Sequence, residues 1–381
     1  MPPVKEIPQV AIFVSTSNSW GRSIVKGIIS YANEVGPWHI WVRTGTRETL
    51  EHLPRGWRGD GIIARVATPS FAEDIKKSQL PVVNVCDFDV PDFASACVRT
   101  DDSIGTKLAV EHFIDRGINN VALAGPFHLP NPAAYSRHFK NAVSQHKLPY
   151  QTFALRESEL QDSKKLAEWI NSQPKPLGLL VWGNEYARQV VDCCMQENIS
   201  VPHDVAILSG GYDELLSHAC FPALSGIMAP TEQIGYKAAE LLHLKLLGEP
   251  VENKTIYLPP MGIIERLSTD TLAVEDPRLV QVIQYIRDHA FEPISMDDIL
   301  RAVPMARRSL ENRFQRAFGR SPTDEVRRIR IKRASKLLSE TDLPMQDVAE
   351  ACGYTTYNYL SHVFKKSTGQ SPRQFRKQFR I

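Results

Sequence analysis

Short runs of almost wholly apolar residues recur along the first part of the chain, at 10–14, 61–64, 81–85, 121–124, 177–182 and 205–208. Each has four to six residues without polar alternation, as expected of strands buried on both faces. Between them the apolar spacing changes to threes and fours. Ile24, Ile28 and Tyr31 follow the first run, and Leu108, Ala109, His112 and Phe113 precede the run at 121. Val190, Val191, Cys194 and Met195 follow the run ending at Trp182. Strand, helix and strand in alternation predict βαβ units and mostly parallel sheets. Some 260 residues of this pattern exceed one compact sheet, so two lobes are expected.

The last quarter has helical spacing throughout and repeats itself. Sliding the segment from Ser295 by 50 residues places Asp297 on Asp347, Leu310 on Leu360 and Phe314 on Phe364. Phe-x4-Gly-x-Ser-Pro then recurs outright, from Phe314 to Pro322 and from Phe364 to Pro372, with no gap over 28 residues. Each copy predicts helix, tight turn, helix, at about 295–318 and 345–367. Ser295 is the expected N-cap of the first, with Met296, Ile299, Leu300 and Val303 as its apolar stripe. Val303-Pro304 breaks that helix, and Gly353 makes the turn of the second copy. Gly319 and Gly369 are the expected C-caps. Two helices joined this way form a helix-turn-helix, whose second helix can enter the major groove. Leu310, Phe314 and Phe318, and Leu360, Val363 and Phe364, are the expected buried faces.

The opposite faces offer Arg307, Arg308, Glu311 and Asn312, then Tyr357, Asn358, Ser361 and His362. Such polar types read base edges. Arg316, Arg320, Lys365 and Lys366 lie later in those helices and suit phosphates. Residues 322–341 predict one linker helix, with Val326, Ile329, Ala334, Leu337 and Leu338 inward and Arg327, Arg328, Arg330, Lys332 and Arg333 supplying charge. Its expected length of about 30 Å matches the ~34 Å between successive major-groove faces of B-DNA.

Charge supports that reading. The net charge of the 381 residues is +2, but residues 276–381 hold 20 Lys+Arg against 12 Asp+Glu, and the rest 25 against 31. A basic block confined to one domain points to an anionic partner for that domain, here double-stranded DNA. Six scattered cysteines without a C-x-x-C pair read as small buried hydrophobes. No apolar run nears the ~18 residues of a membrane span. No basic region followed by an apolar core opens the chain, so a cytoplasmic protein is expected.

In open parallel sheets, ligands bind beyond the carboxyl ends of strands. There the sequence places 15–20 with Trp20, then Asp101-Asp102, Asn184-Glu185 and 210–214 with Asp213. Carboxylates, amides and an aromatic face suit a polyol, although Asp and Asn after strands also cap helices. The runs T-D-D-S-I-G-T-K-L-A-V-E-H-F at 100–113, R-G-I-N-N-V-A-L-A-G, G-L-L-V-W-G-N and V-A-I-L-S-G-G-Y-D-E resemble the ligand-binding domain of LacI-type regulators and periplasmic sugar-binding proteins. The resemblance implies two Rossmann-like lobes joined by three crossovers, closing on a sugar. It implies contacts from Asp213, Asn184, Arg137, Asp101 and Asp102, with Trp20 and Arg22 at the mouth. Where that family often carries a polar contact before the helix at 231–247, this chain has Ala229-Pro230.

The double helix-turn-helix, and above all D-V-A-E-A-C-G-Y…Y-L-S-H-V-F-K-K-S-T-G-Q-S-P-R-Q-F-R at 347–376, resembles the AraC/XylS family of transcription regulators. The first copy departs from that family in lacking the turn glycine. The expected organisation is a two-lobed α/β sensor at 7–268, a linker at 269–276 and an all-α DNA-binding domain at 277–381. A sensor followed by such a domain resembles regulators of bacterial sugar-catabolic operons. That resemblance implies D-xylose as effector, with another pentose, sugar alcohol or sugar derivative as the alternative. It also implies a homodimer that activates promoters through RNA polymerase. The chain lacks G-x-x-x-x-G-K-[ST], H-E-x-x-H, G-x-S-x-G and G-x-G-x-x-G after a strand, so no enzyme, metal or cofactor is expected.

Overall fold

The structure, a computed structural model, describes residues 7–43, 52–53, 57–86, 90–155, 163–270, 276–318 and 320–379. The chain divides into two compact units: residues 1–110 with 120–270, and residues 111–119 with 271–381.

The first unit is built on two six-stranded sheets. One holds β1 (Gln9–Phe13), β2 (His39–Val42), β3 (Gly61–Ala64), β4 (Val82–Asn84), β5 (Ala96–Thr100) and β11 (Thr255–Leu258), in the order β11-β5-β4-β3-β1-β2. The other holds β6 (Asn120–Gly125), β7 (Tyr150–Ala154), β8 (Leu177–Val181), β9 (Val205–Ser209), β10 (Ser225–Met228) and β12 (Gly262–Ile264), in the order β12-β10-β9-β8-β6-β7. All pairings are parallel except β10 with β12. The chain passes between the sheets three times, after β5, β10 and β11, as the two-lobe resemblance implies. The central strands β1, β3, β6, β8 and β9 are the apolar runs of the sequence, and their inner residues are fully buried.

Helices α1 (Ser19–Val35), α2 (Pro69–Ser78), α3 (Asp102–Ile114), α4 (Pro130–Gln145), α5 (Ser163–Ser172), α6 (Asn184–Gln196), α7 (Glu214–Ala219) and α8 (Thr231–Leu246) accompany the sheets. α1 and α8 pack through two glycines. A Cβ on Gly27 would lie 1.9 Å from the Glu232 carbonyl oxygen, and one on Gly235 2.0 Å from that of Ile24. Only a residue without a side chain permits that approach. Of the helical stripe expected around 190–195, Val190, Val191 and Cys194 are buried, but Met195 is 59% exposed. All six cysteines are buried. No described helix is long and apolar enough to cross a membrane.

The second unit contains α9 (Pro277–His289), α10 (Met296–Ala302), α11 (Arg307–Phe318), α12 (Pro322–Glu340), α13 (Met345–Ala351), α14 (Tyr357–Thr368) and α15 (Pro372–Phe379). Ser295 caps α10 in a reciprocal capping box with Asp298. Thr356 caps α14, and Gly369 ends it at φ 80°. Gly353 turns at φ 76°, and a Cβ there would meet the Phe291 carbonyl at 2.8 Å. The expected cap Gly319 and the linker positions 271–275 lie outside the described residues. The unit has two cores. Leu310, Phe314 and Phe318 pack with Ile283, Ile286, Ile299 and Val326. Leu360, Val363 and Phe364 pack with Val348, Cys352, Ala334 and Leu338. α12 contributes to both.

Candidate functional site

The loops that follow β1, β5, β8 and β9 carry the residues singled out in the α/β unit. Asp101 caps α3: its Oδ1 accepts from Ser103 N at 3.0 Å, Ser103 Oγ at 2.5 Å and Ile104 N at 3.3 Å. Asp102 is the first residue of α3. Asn184 opens α6, and its Nδ2 donates to Ser217 Oγ at 2.9 Å. Asp213 caps α7 by accepting from Leu216 N at 3.0 Å. Ser19 lies beside its carboxylate, with Arg22 as a nearby positive charge. Burial pushes this carboxyl upward, but Leu216, Ser19 and Arg22 together hold it below the usual aspartate range.

The expected mouth residues are partly placed. Trp20 is half-buried against the core of the first sheet. Arg22 is exposed, and its guanidinium donates to the Thr16 carbonyl at 3.0 Å. Arg137 is exposed on α4. Two residues earlier on the same helix, Tyr135 is only 3% exposed. Its hydroxyl has no hydrogen-bond partner. Burial and then the negative charge of Asp102 push its pKa well above the usual tyrosine value.

Tyr135 carries no distinct signal in the sequence, because Tyr135, Phe139 and Val143 share the i, i+4 spacing of an ordinary core stripe. The structure instead brings its hydroxyl to the end of β9, where a Cβ on Gly210 would lie 3.1 Å from it and 3.4 Å from Gly183 N. The Oδ1 of Asn184, next in the chain to Gly183, is likewise buried without a partner. Trp182 and Phe127 adjoin Gly125 at the ends of β8 and β6, and Trp182 stands 5.8 Å from Tyr186, ring to ring. Two buried, unsatisfied polar atoms cost free energy that a hydroxylated ligand would recover. A phenol can donate or accept, an amide oxygen accepts, and aromatic rings cover the C–H face of a sugar. Among the described residues no cluster of His, Cys, Asp or Glu could hold a metal ion.

In the helical unit, α10–α11 and α13–α14 are the two helix-turn-helix pairs. Arg308, Asn312 and Arg316 are exposed on α11. Arg307 is exposed as well, and its Nε donates to Glu311 Oε1 at 3.0 Å, so this pair is pre-ordered. On α14, Asn358, His362, Lys365 and Lys366 are exposed, and Ser361 is half-buried. Tyr357 is partly buried against the second core, with the Arg373 guanidinium 5.8 Å above its ring.

Arg320, expected to suit phosphate, is engaged within the protein instead, as are several charges of the linker helix. Arg320 is 15% exposed and pairs with Asp115 and Glu325. Arg328 pairs with the same two carboxylates. Arg330 donates to the carbonyls of Ala290 and Glu292 at 2.6 and 2.7 Å, and Arg333 stacks on Phe291 at 4.3 Å. These arginines serve packing.

The comparisons with known proteins follow this division. Residues 9–91 match the XylR N-terminal domain, 110–269 a periplasmic binding protein-like domain, and 299–378 a helix-turn-helix domain. The chain is 27% identical over 382 residues to the xylose operon regulatory protein of Escherichia coli K12, covering 97% of this chain and 96% of that one. It is also 27% identical to that of Haemophilus influenzae, covering 97% and 98%. The structure of the xylose-binding transcription activator xylR superposes with a TM-score of 0.63 at 25% identity, over 98% of both chains. A LacI family regulator from Enterococcus faecium with bound ribose shares the fold, with a TM-score of 0.55 at 23% identity over 68% of this chain and 98% of that one. The HTH-type activator RhaS of an Enterobacter species is 27% identical over 38% of this chain and 48% of its own. The chain is therefore a transcription regulator that joins a periplasmic-binding-protein-like domain to an AraC-type helix-turn-helix domain, similar along nearly its whole length to the xylose operon regulatory proteins.

Proposed function

We propose that this chain activates a sugar-catabolic operon in response to a monosaccharide, D-xylose, held between the two sheets of its first unit. The observation that carries the reading is the pair of buried, unpartnered polar atoms, Tyr135 Oη and Asn184 Oδ1, at the strand ends. Asp102 and Asp213 supply acceptors beside them, Trp182 and Phe127 an apolar wall, and Trp20, Arg22 and Arg137 the approach. The sensor then spans 7–268 and the DNA-binding domain 277–381. Arg307, Arg308, Glu311 and Asn312 read bases from α11, and Tyr357, Asn358, Ser361 and His362 from α14. Arg316, Lys365 and Lys366 hold phosphates. The protein acts in the cytoplasm as a homodimer on an operator duplex and recruits RNA polymerase. The relatives named for xylose support this sugar over other pentoses, sugar alcohols or derivatives.

Sugar alters DNA affinity only if it binds one arrangement of the protein better than another. The test is a fluorescence-anisotropy titration of a duplex selected in vitro on the full chain, with and without D-xylose. A change in duplex affinity with xylose, absent with glucose, supports the proposal. Tight duplex binding that no sugar alters contradicts the effector half of it.

A further inference from the structure

Helix α3 is one uninterrupted element of 13 residues, about 20 Å long. Its first residue, Asp102, belongs to the candidate effector site. Its last turn and the residues after it, Glu111–Asn119, group with the helical unit. Asp115 follows the helix directly and is 7% exposed. Its Oδ1 lies 2.8 Å from Arg320 Nη2, and its Oδ2 pairs with Arg328 Nη1. The same guanidiniums hold the fully buried Glu325. Arg320 Nε reaches Glu325 Oε2 at 2.5 Å, while Arg328 Nη2 and Nε reach Oε1 and Oε2 at 2.7 and 2.8 Å. Lys332 adds positive charge towards Asp115. Beside it, Arg116 Nη1 lies 3.1 Å from His112 Nδ1, both side chains buried.

The cluster sits at a joint. Arg320 lies just beyond α11, a candidate reading helix, and Glu325 and Arg328 lie in the first two turns of α12, which contributes to both cores. Two guanidiniums and two carboxylates form ion pairs with one another there. Withdrawing Asp115 would leave two arginines on one carboxylate in a largely dry site, which a protein tolerates poorly. The joint is therefore held in one arrangement only while the end of α3 is seated in it.

We propose that Asp115 is a positioning residue that couples effector binding at the start of α3 to the joint between α11 and α12. Effector closure that moves α3 changes the grip of Asp115 on Arg320 and Arg328, and so the setting of the first reading helix. This rests on the sugar-responsive reading above. It adds a specific wire, whereas a plain structural strut would stabilise the fold without carrying the effector signal.

The experiment uses the full chain, D-xylose and a duplex selected on the wild type. Duplex affinity is measured with and without saturating xylose, and xylose affinity separately by calorimetry. The wild type is expected to show a ratio of duplex affinities within about 5- to 150-fold. Asp115→Asn is expected to bring that ratio to within about twofold of unity while xylose affinity stays within about threefold of the wild type. Asp115→Asn combined with Arg328→Gln keeps the neutral Arg320–Glu325 pair, so it tests the same point should the single variant fold poorly. Retention of the wild-type ratio in a folded variant overturns the coupling role. A wild type that ignores xylose overturns the sugar reading itself, and this inference with it.

Discussion

The carboxylate of Asp213 lies beside Ser19, although one stands beyond β9 of the second sheet and the other beyond β1 of the first. The carboxylate thus sits at the N-terminus of α1 while it caps its own helix α7. Anions are favoured at such a terminus. The contact joins the two sheets where the effector is expected.

A pH dependence follows. The folded pKa of Asp213 lies below its ordinary 3.8, so ionisation favours the folded state. The contribution is fully present above that ordinary value and is lost as pH falls through the lower, folded one. Asp213→Asn is expected to melt below the wild type at neutral pH, and the gap is expected to narrow as pH drops beneath the ordinary value. Thermal melts of both proteins from pH 7 downward check this. A constant gap would mean that the charge is not what stabilises.

Tyr135→Phe removes a hydroxyl that has no partner. The ligand-free protein should lose nothing, and should gain on the order of 1 kcal/mol by shedding an unsatisfied group. Xylose affinity should fall about tenfold, the equivalent of ~1.4 kcal/mol. Opposite signs for stability and binding distinguish a ligand contact from a core residue, and calorimetry with thermal melts reads both.

The α1–α8 contact is sensitive to single methyl groups. Gly27→Ala and Gly235→Ala each place a Cβ about 2 Å from a backbone carbonyl oxygen, so each should cost roughly 1–3 kcal/mol. The double variant should cost less than the sum, because helices parted for one methyl already have room for the second. Urea denaturation of the three variants measures this directly.

Exposed residues on the two reading helices should separate by kind. Lys365→Ala should weaken binding to all duplexes alike and lower the salt slope by about 1. Arg308→Ala should cost ~1–3 kcal/mol on the selected duplex and relax specificity at one base position. Equal losses on selected and unrelated duplexes would move Arg308 from base reading to phosphate contact.

The inner strands and both helix-turn-helix pairs were legible because burial on both faces and a repeated spacing leave direct marks. The edge strands were not. β2 reads His-Ile-Trp-Val and β7 Tyr-Gln-Thr-Phe-Ala, mixed sequences that suit a half-exposed edge and carry no clear period. In the sequence Asp101 and Asp213 read both as sugar contacts and as caps, and the structure shows both capping helices. Tyr135 was hidden in a core-like stripe. Asp115 gave no local signal at all, since its partners Arg320 and Arg328 are neighbours only after folding. Arg320 reads as a phosphate contact in the sequence for the same reason.

The most direct single measurement is a thermal-shift panel of D-xylose, arabinose, ribose, glucose and sugar alcohols on the wild type and Asn184→Ala. Ligand at 100 times its dissociation constant adds about 2.7 kcal/mol, a shift on the order of several degrees. Stabilisation by D-xylose that is lost in Asn184→Ala is the expected result. Stabilisation by another sugar alone would contradict the xylose assignment, and no shift with any sugar would contradict the effector site as a whole.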